Sequence, residues 1–220
     1  MAAPAPHTVL LAGATGLVGG LLLQELLAQP QVARVHALVR RPLGISHPKL
    51  HVQVVDFSAL PPLPPAHALY LALGTTLKVA GSQAAFRAVD FQANLDVAQA
   101  AVAAGVTRVG LVSAAGANAR SVVFYNRVKG ELEDALKALP LQALVLAQPS
   151  LLLGSREGLG QPTRVAERLA LPVARWVAPL VPGTYRPVAA QQVARALVQA
   201  LPRAKGVRVL ASGEMARSGA

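Results

Sequence analysis

The chain alternates short apolar runs with longer segments whose apolar positions recur at helical spacing. Thr8 to Ala12 is a β-branched and leucine run that stops at Gly13, and Val18 to Leu27 then carries apolar residues three and four apart up to Pro30. This predicts a strand, a glycine turn and a helix. Further strands are expected at Arg34 to Val39, at Leu50 to Val55 before Asp56, and at Ala68 to Leu73 before Gly74. None alternates strictly with polar residues, so strands covered on both faces are expected. Ala84 to Ala104 reads as one alanine-rich helix closed by Gly105, and Arg108 to Ser113 as a fifth strand. A helix from about Phe124 to Ala138, with Glu131, Glu133 and Asp134 turned to solvent, ends before Pro140, and a sixth strand spans Leu141 to Ala147. No helix is expected in the proline-containing connections between strands two and four.

This order predicts an α/β fold: a doubly wound parallel sheet whose ligand crevice lies beyond the carboxyl ends of the strands. Residues 1–220 read as one domain. After Pro149 the pattern loosens around Gly154, Gly158 and Gly160. Thr163 to Leu171 and Ala189 to Leu201 look helical, and Val207 to Ala211 looks like a last strand. Residues 150–220 are therefore expected to form a small substrate-side cap, with Pro149, Leu151, Trp176 and Tyr185 as candidates to line a pocket. The Ala216 to Ala220 tail is expected to fray.

Composition narrows the classes. With 53% of 220 residues apolar and 14% charged, the chain can bury a substantial core. It has no cysteine, which excludes disulfides, thiolate zinc sites and cysteine nucleophiles. The three longest charge-free stretches are broken by clustered glycines or prolines, so no membrane span is expected. The start, MAAPAPH, shows no basic leader, and a cytoplasmic protein is expected. A net charge of +11 raises nucleic-acid binding, but the basic residues are scattered and aromatics amount to only 4%, so nucleic acid is not expected as a partner. His47 and His51 stand four apart, yet Pro48 and the strand from Leu50 deny them a shared helical face, and no metal site is predicted.

Chemistry concentrates first at Gly13-Ala14-Thr15-Gly16-Leu17-Val18-Gly19, a G-x-x-G-x-x-G turn between a strand and a helix. Glycines here let the backbone approach a pyrophosphate, and the helix start offers free N–H groups to the anion. Gly13, Thr15, Gly16, Leu17 and Val18 are thus candidate cofactor contacts. Strand two ends in Arg40-Arg41 with no acidic residue to hold ribose hydroxyls, which favours NADP(H) over NAD(H), because guanidinium forks suit a 2′-phosphate. A solvated arginine pair is the bland alternative. Asp56 is a candidate acceptor for the adenine amino group, and Leu73, Gly74 and Thr75 would bring bare backbone to the nicotinamide side, with Lys78 nearby.

Ser113 closes strand five, and Tyr125 and Lys129 stand one helical turn apart on one face. A tyrosine titrates near ~10, and a neighbouring ammonium lowers the cost of the phenolate. Tyr125 then reads as general acid for reducing a carbonyl, Ser113 as a hydrogen-bond partner of the substrate oxygen, and Lys129 as the cation that also holds ribose hydroxyls. A Tyr-x-x-x-Lys pair alone is weak evidence; its place after strand five of a sheet with a dinucleotide turn strengthens it.

The glycine turn, Leu73-Gly74-Thr75-Thr76, Ser113-Ala114-Ala115-Gly116, and Tyr125 to Lys129 with Gly130 and Glu131 together resemble the atypical, short members of the short-chain dehydrogenase/reductase superfamily. The likeness is strongest to the Tat-interacting-protein oxidoreductase group, which also has a proline after strand six, matched by Pro149. The resemblance implies a Rossmann fold, NADP(H), Pro149 at the cofactor and the roles given above for Ser113, Tyr125 and Lys129. It departs where Ala114 follows Ser113 in place of a second serine, and where the helix after strand four offers both Asp90 and Asn94. The segment after Pro149 is short for a nucleotide-sugar substrate. The expected function is NADP(H)-dependent hydride transfer to or from a small carbonyl or alcohol substrate, in a chain free to form a homodimer. The alternative is a non-catalytic NADP(H)-binding redox sensor or scaffold.

Overall fold

A computed structural model describes residues 7–153 and 187–217. Seven parallel strands form one sheet in the order β3-β2-β1-β4-β5-β6-β9. The strands are β1 (His7–Ala12), β2 (Val32–Val39), β3 (Leu50–Val54), β4 (Ala68–Leu71), β5 (Arg108–Val112), β6 (Ala143–Gln148) and β9 (Gly206–Ala211), with β7 (Leu152–Leu153) and β8 (Val188–Ala189) pairing apart from them. The order reverses between β1 and β4, the switch point at which such sheets hold ligands.

Two apolar layers sandwich the sheet. On one face α1 (Leu17–Ala28) packs against α6 (Ala190–Ala200), through Leu22, Leu26, Val193 and Leu197. On the other lie α4 (Asn94–Ala103) and α5 (Phe124–Lys137), through Val97, Ala101, Leu132 and Leu136. As expected, residues between strands two and four contain no helix. Instead the β3–β4 connection crosses the second face as an extended strap, pinned by Leu63 and Ala66 in the core.

Three differences matter for the site. The helix expected over Ala84 to Ala104 is α3 (Gln83–Arg87) and α4 joined by a π-helical turn at Ala88–Ala93, which advances the inward face by an extra residue. A short helix, α2 (Leu77–Ala80), capped by Thr76 Oγ1 accepting from Val79 N at 3.2 Å, precedes them. The described part of the expected cap is not one: β9 pairs in parallel with β6 along Ala143 to Gln148 and is the last strand of the main sheet. Its apolar run needed a strand partner, and the open edge of β6 supplies one. Ala216 and Arg217 lie in α7 (Ser212–Arg217) rather than in a frayed tail. The helix expected at Thr163 to Leu171, like Trp176 and Tyr185, lies outside the described residues.

Because Leu63 is the strap's buried anchor, Leu63→Ala should cost about 2–3 kcal/mol in urea unfolding. Unchanged stability would show that the strap does not seal this face.

Candidate active site at the switch point

At the end of β1, Gly13 turns the chain with φ 96°, a left-handed conformation natural to glycine. A Cβ there would lie 2.4 Å from Ala72 O at the exit of β4, and one on Gly19 would lie 1.9 Å from Gly13 O. Bend, helix and β4 exit are thus pressed together at backbone distance. Gly16 caps α1 and donates to Gly13 O at 2.9 Å, Thr15 and Gly16 are exposed, and the first turn of α1 carries no acid. Val18 puts its side chain in the core, leaving its backbone N–H as the group at the helix start. A cradle that excludes side chains, beside unopposed N–H groups, fits a dinucleotide pyrophosphate.

Two residues beyond Ala72, Gly74 stands over the second part of the site: a Cβ there would lie 3.4 Å from Asp90 Oδ1 and 3.9 Å from Lys129 Nζ. Asp90, 1% exposed, accepts from Thr75 N at 2.8 Å with Oδ2 and pairs with Lys129 Nζ at 2.7 Å through Oδ1. Asn94, fully buried, donates from Nδ2 to Leu73 O at 3.3 Å and Val89 O at 3.1 Å. The π-helical turn lets both polar residues face inward, and the two hold different groups: Asp90 the Thr75 amide and Lys129, Asn94 the carbonyls of Leu73 and Val89. The Asp90 carboxylate offsets the ammonium charge, so Lys129 presents a neutral pair rather than a lone cation.

Along α5, Tyr125, Lys129 and Glu133 follow at i, i+4 and i+8 on one face. The expectation that Glu133 faces solvent is corrected: it is 4% exposed. Ser113 Oγ, itself buried, donates to Glu133 Oε1 at 2.5 Å, and Gln148 Nε2 donates to the same carboxylate at 2.9 and 3.1 Å. The sequence signal for Glu133 was its four-residue step from Lys129; nothing in the sequence pointed to Gln148. Tyr125 is half-buried with its ring 5.7 Å from that of Phe86, and no described residue hydrogen-bonds its hydroxyl. Gly130 holds α5 against the loop from β5, since a Cβ there would lie 2.2 Å from Ala119 N.

The remaining candidates share the carboxyl edge. Pro149 is buried, and its carbonyl accepts from Ala115 N at 2.8 Å, joining the exits of β5 and β6. Leu151 is 46% exposed. Arg40 and Arg41 are exposed at the end of β2, with no ion pair among the described residues. Asp56 is exposed. Ser58 Oγ at 2.6 Å and Ser58 N at 2.9 Å both donate to its Oδ1, which holds its carboxyl below the usual range and leaves Oδ2 for another partner.

A model of the NAD(P)H-binding family matches residues 13–152. The fungal protein named "Protein fmp52, mitochondrial" of Aspergillus clavatus is 40% identical over 159 residues, 68% of each chain. Its namesake from Lodderomyces elongisporus is 32% identical over 209 residues, 88% of this chain and 86% of that one. Among solved structures, MoeE5 in complex with UDP-glucuronic acid and NAD superposes with a TM-score of 0.69 at 21% identity, over 92% of this chain and 75% of that one. The Helicobacter pylori ADP-L-glycero-D-manno-heptose-6-epimerase gives 0.64 at 19%, over 94% and 76%. These structures share the fold. The expectation of a cytoplasmic protein is corrected by the relatives' names, which point to the mitochondrion. No described helix is long and apolar enough to cross a membrane.

Since Lys129 is buried against one carboxylate, Asp90→Asn should lower unfolding free energy by about 3 kcal/mol, and adding Lys129→Met should restore most of it. Additive losses in that double-mutant cycle would show that the two groups are not energetically coupled.

Proposed function

Because the chain belongs to the NAD(P)H-binding family, together with the fungal Fmp52 proteins, we propose that it is an NADP(H)-dependent oxidoreductase acting on a small carbonyl or alcohol. The observation that carries this reading is the convergence at the β4 exit, where Gly13 packs on Ala72 and Lys129 reaches Gly74. That proximity supports a single crevice served by phosphate cradle and tyrosine helix.

The bound nicotinamide would supply or accept the hydride. Gly13, Thr15, Gly16 and the N–H groups of Leu17 and Val18 would hold the pyrophosphate. Leu73, Gly74 and Thr75 would face the nicotinamide half, and Asp56 and Pro149 would flank the cofactor. Arg40 and Arg41, free of carboxylate partners among the described residues, would take the 2′-phosphate. Tyr125 holds the proton given to the substrate oxygen, and Lys129, fixed by Asp90, would hold the ribose hydroxyls. Ser113 can donate to a substrate oxygen only by withdrawing its proton from Glu133, which then keeps its two bonds to Gln148. That commitment of Ser113 is the observation favouring a second reading, a redox sensor that binds the nucleotide without turnover.

Calorimetric titration should show NADPH binding at least about tenfold tighter than NADH, with the difference erased in the Arg40→Ala/Arg41→Ala variant. Failure to bind either nucleotide would sink the proposal. With a panel of aldehydes, ketones and quinones, Tyr125→Phe should cut NADPH oxidation about 100-fold or more while leaving NADPH affinity nearly intact. Intact nucleotide binding with no turnover across the panel would favour the sensor.

A further inference from the structure

The strap between β3 and β4 contains Leu60-Pro61-Pro62-Leu63-Pro64-Pro65-Ala66. Covalent geometry settles most of its conformation. Four prolines fix φ near −65°, and Leu60, Pro61, Leu63 and Pro64, each preceding a proline, are confined to the extended or polyproline II region. A polyproline II helix has three residues per turn. Burial follows that period: Leu60 is half-buried, and Leu63 and Ala66 are buried at 7% and 9% exposure. Of the intervening residues, Pro61, Pro62 and Pro65 are exposed and Pro64 is half-buried. One edge of the helix is spent on the core. The other two, Pro61/Pro64 and Pro62/Pro65, form a proline ridge facing outward.

We propose that this ridge is a docking site for a protein module of the SH3 type, whose aromatic-walled groove takes two x-Pro pairs spaced three residues apart. Pro61-Pro62 and Pro64-Pro65 supply the two pairs, while Leu63, the spacer between them, turns away from the partner as it turns into the core. The ligand helix is already ordered by the fold, so the ordering entropy that a flexible proline-rich peptide loses on binding is not lost here. Charge selects the same kind of groove. The stretch from Phe57 to Ala66 carries no charged residue, so nothing opposes an apolar groove floor, and the chain around it is at +11, which favours an acidic groove rim. The proposal is independent of nucleotide chemistry.

The test is a titration of a recombinant SH3 domain with an acidic-rimmed groove into the 15N-labelled full chain. Saturable amide shifts are expected at Leu60, Leu63, Ala66 and their neighbours, and not along α5. The Pro62→Ala/Pro65→Ala variant changes only exposed side chains; it should stay folded with a melting temperature lowered by only a few degrees, from the freer unfolded chain, and its affinity for the SH3 domain should fall roughly tenfold or more. No saturable shift at millimolar SH3 domain, shifts located elsewhere, or binding that survives the double substitution would overturn the proposal and leave the strap as a rigid crossover only.

Discussion

A single buried carboxylate holds the site together. Asp90 receives the Thr75 amide with one oxygen and the Lys129 ammonium with the other, in surroundings almost closed to water. Either charge left without the other would bear an uncompensated desolvation cost of about several kcal/mol in a protein interior. The pair therefore fixes three segments far apart in sequence: the exit of β4, the π-helical turn and the middle of α5. Each contributes one group, and moving any of them strands a charge or an N–H.

The same helix carries a second anionic node. Glu133, four residues beyond Lys129, is held by Ser113 and Gln148, with no ion-pair partner among the described residues. α5 thus presents a phenol, an ammonium and a carboxylate in series along one face while Leu132 and Leu136 seal the core on another. Gly130 lets the helix sit at backbone distance from Asn118 and Ala119, which keeps the serine-bearing exit of β5 within reach of Glu133. The serine hydroxyl is consequently committed to a buried carboxylate.

The half of the sheet from β1 to β3 is built differently. Proline-fixed extended chain covers β2 and the switch-point strands where a crossover helix would otherwise lie, and it gives the second face Leu63 and Ala66 without a helix's bulk. At the opposite edge β9 and α6 extend the sheet and its first layer, so the described residues after β8 serve the fold rather than the pocket.

Local chemistry was enough to read the alternation of strands and helices, the glycine bend and the place of Tyr125 and Lys129, because hydrophobic period, glycine sterics and four-residue helical spacing act within a few residues of themselves. The absence of helices between strands two and four was legible for the same reason, since proline acts on its own and the preceding residue. What the sequence left open depended on partners distant in the chain. That Asp90 and Asn94 both turn inward follows from an extra residue in a helical turn, and Glu133 looked solvent-facing until Ser113 and Gln148 surrounded it. The last strand looked like part of a cap until the open edge of β6 took it. Burial and pairing are properties of the assembled sheet, and a carboxylate's role follows from whichever donors the fold brings to it.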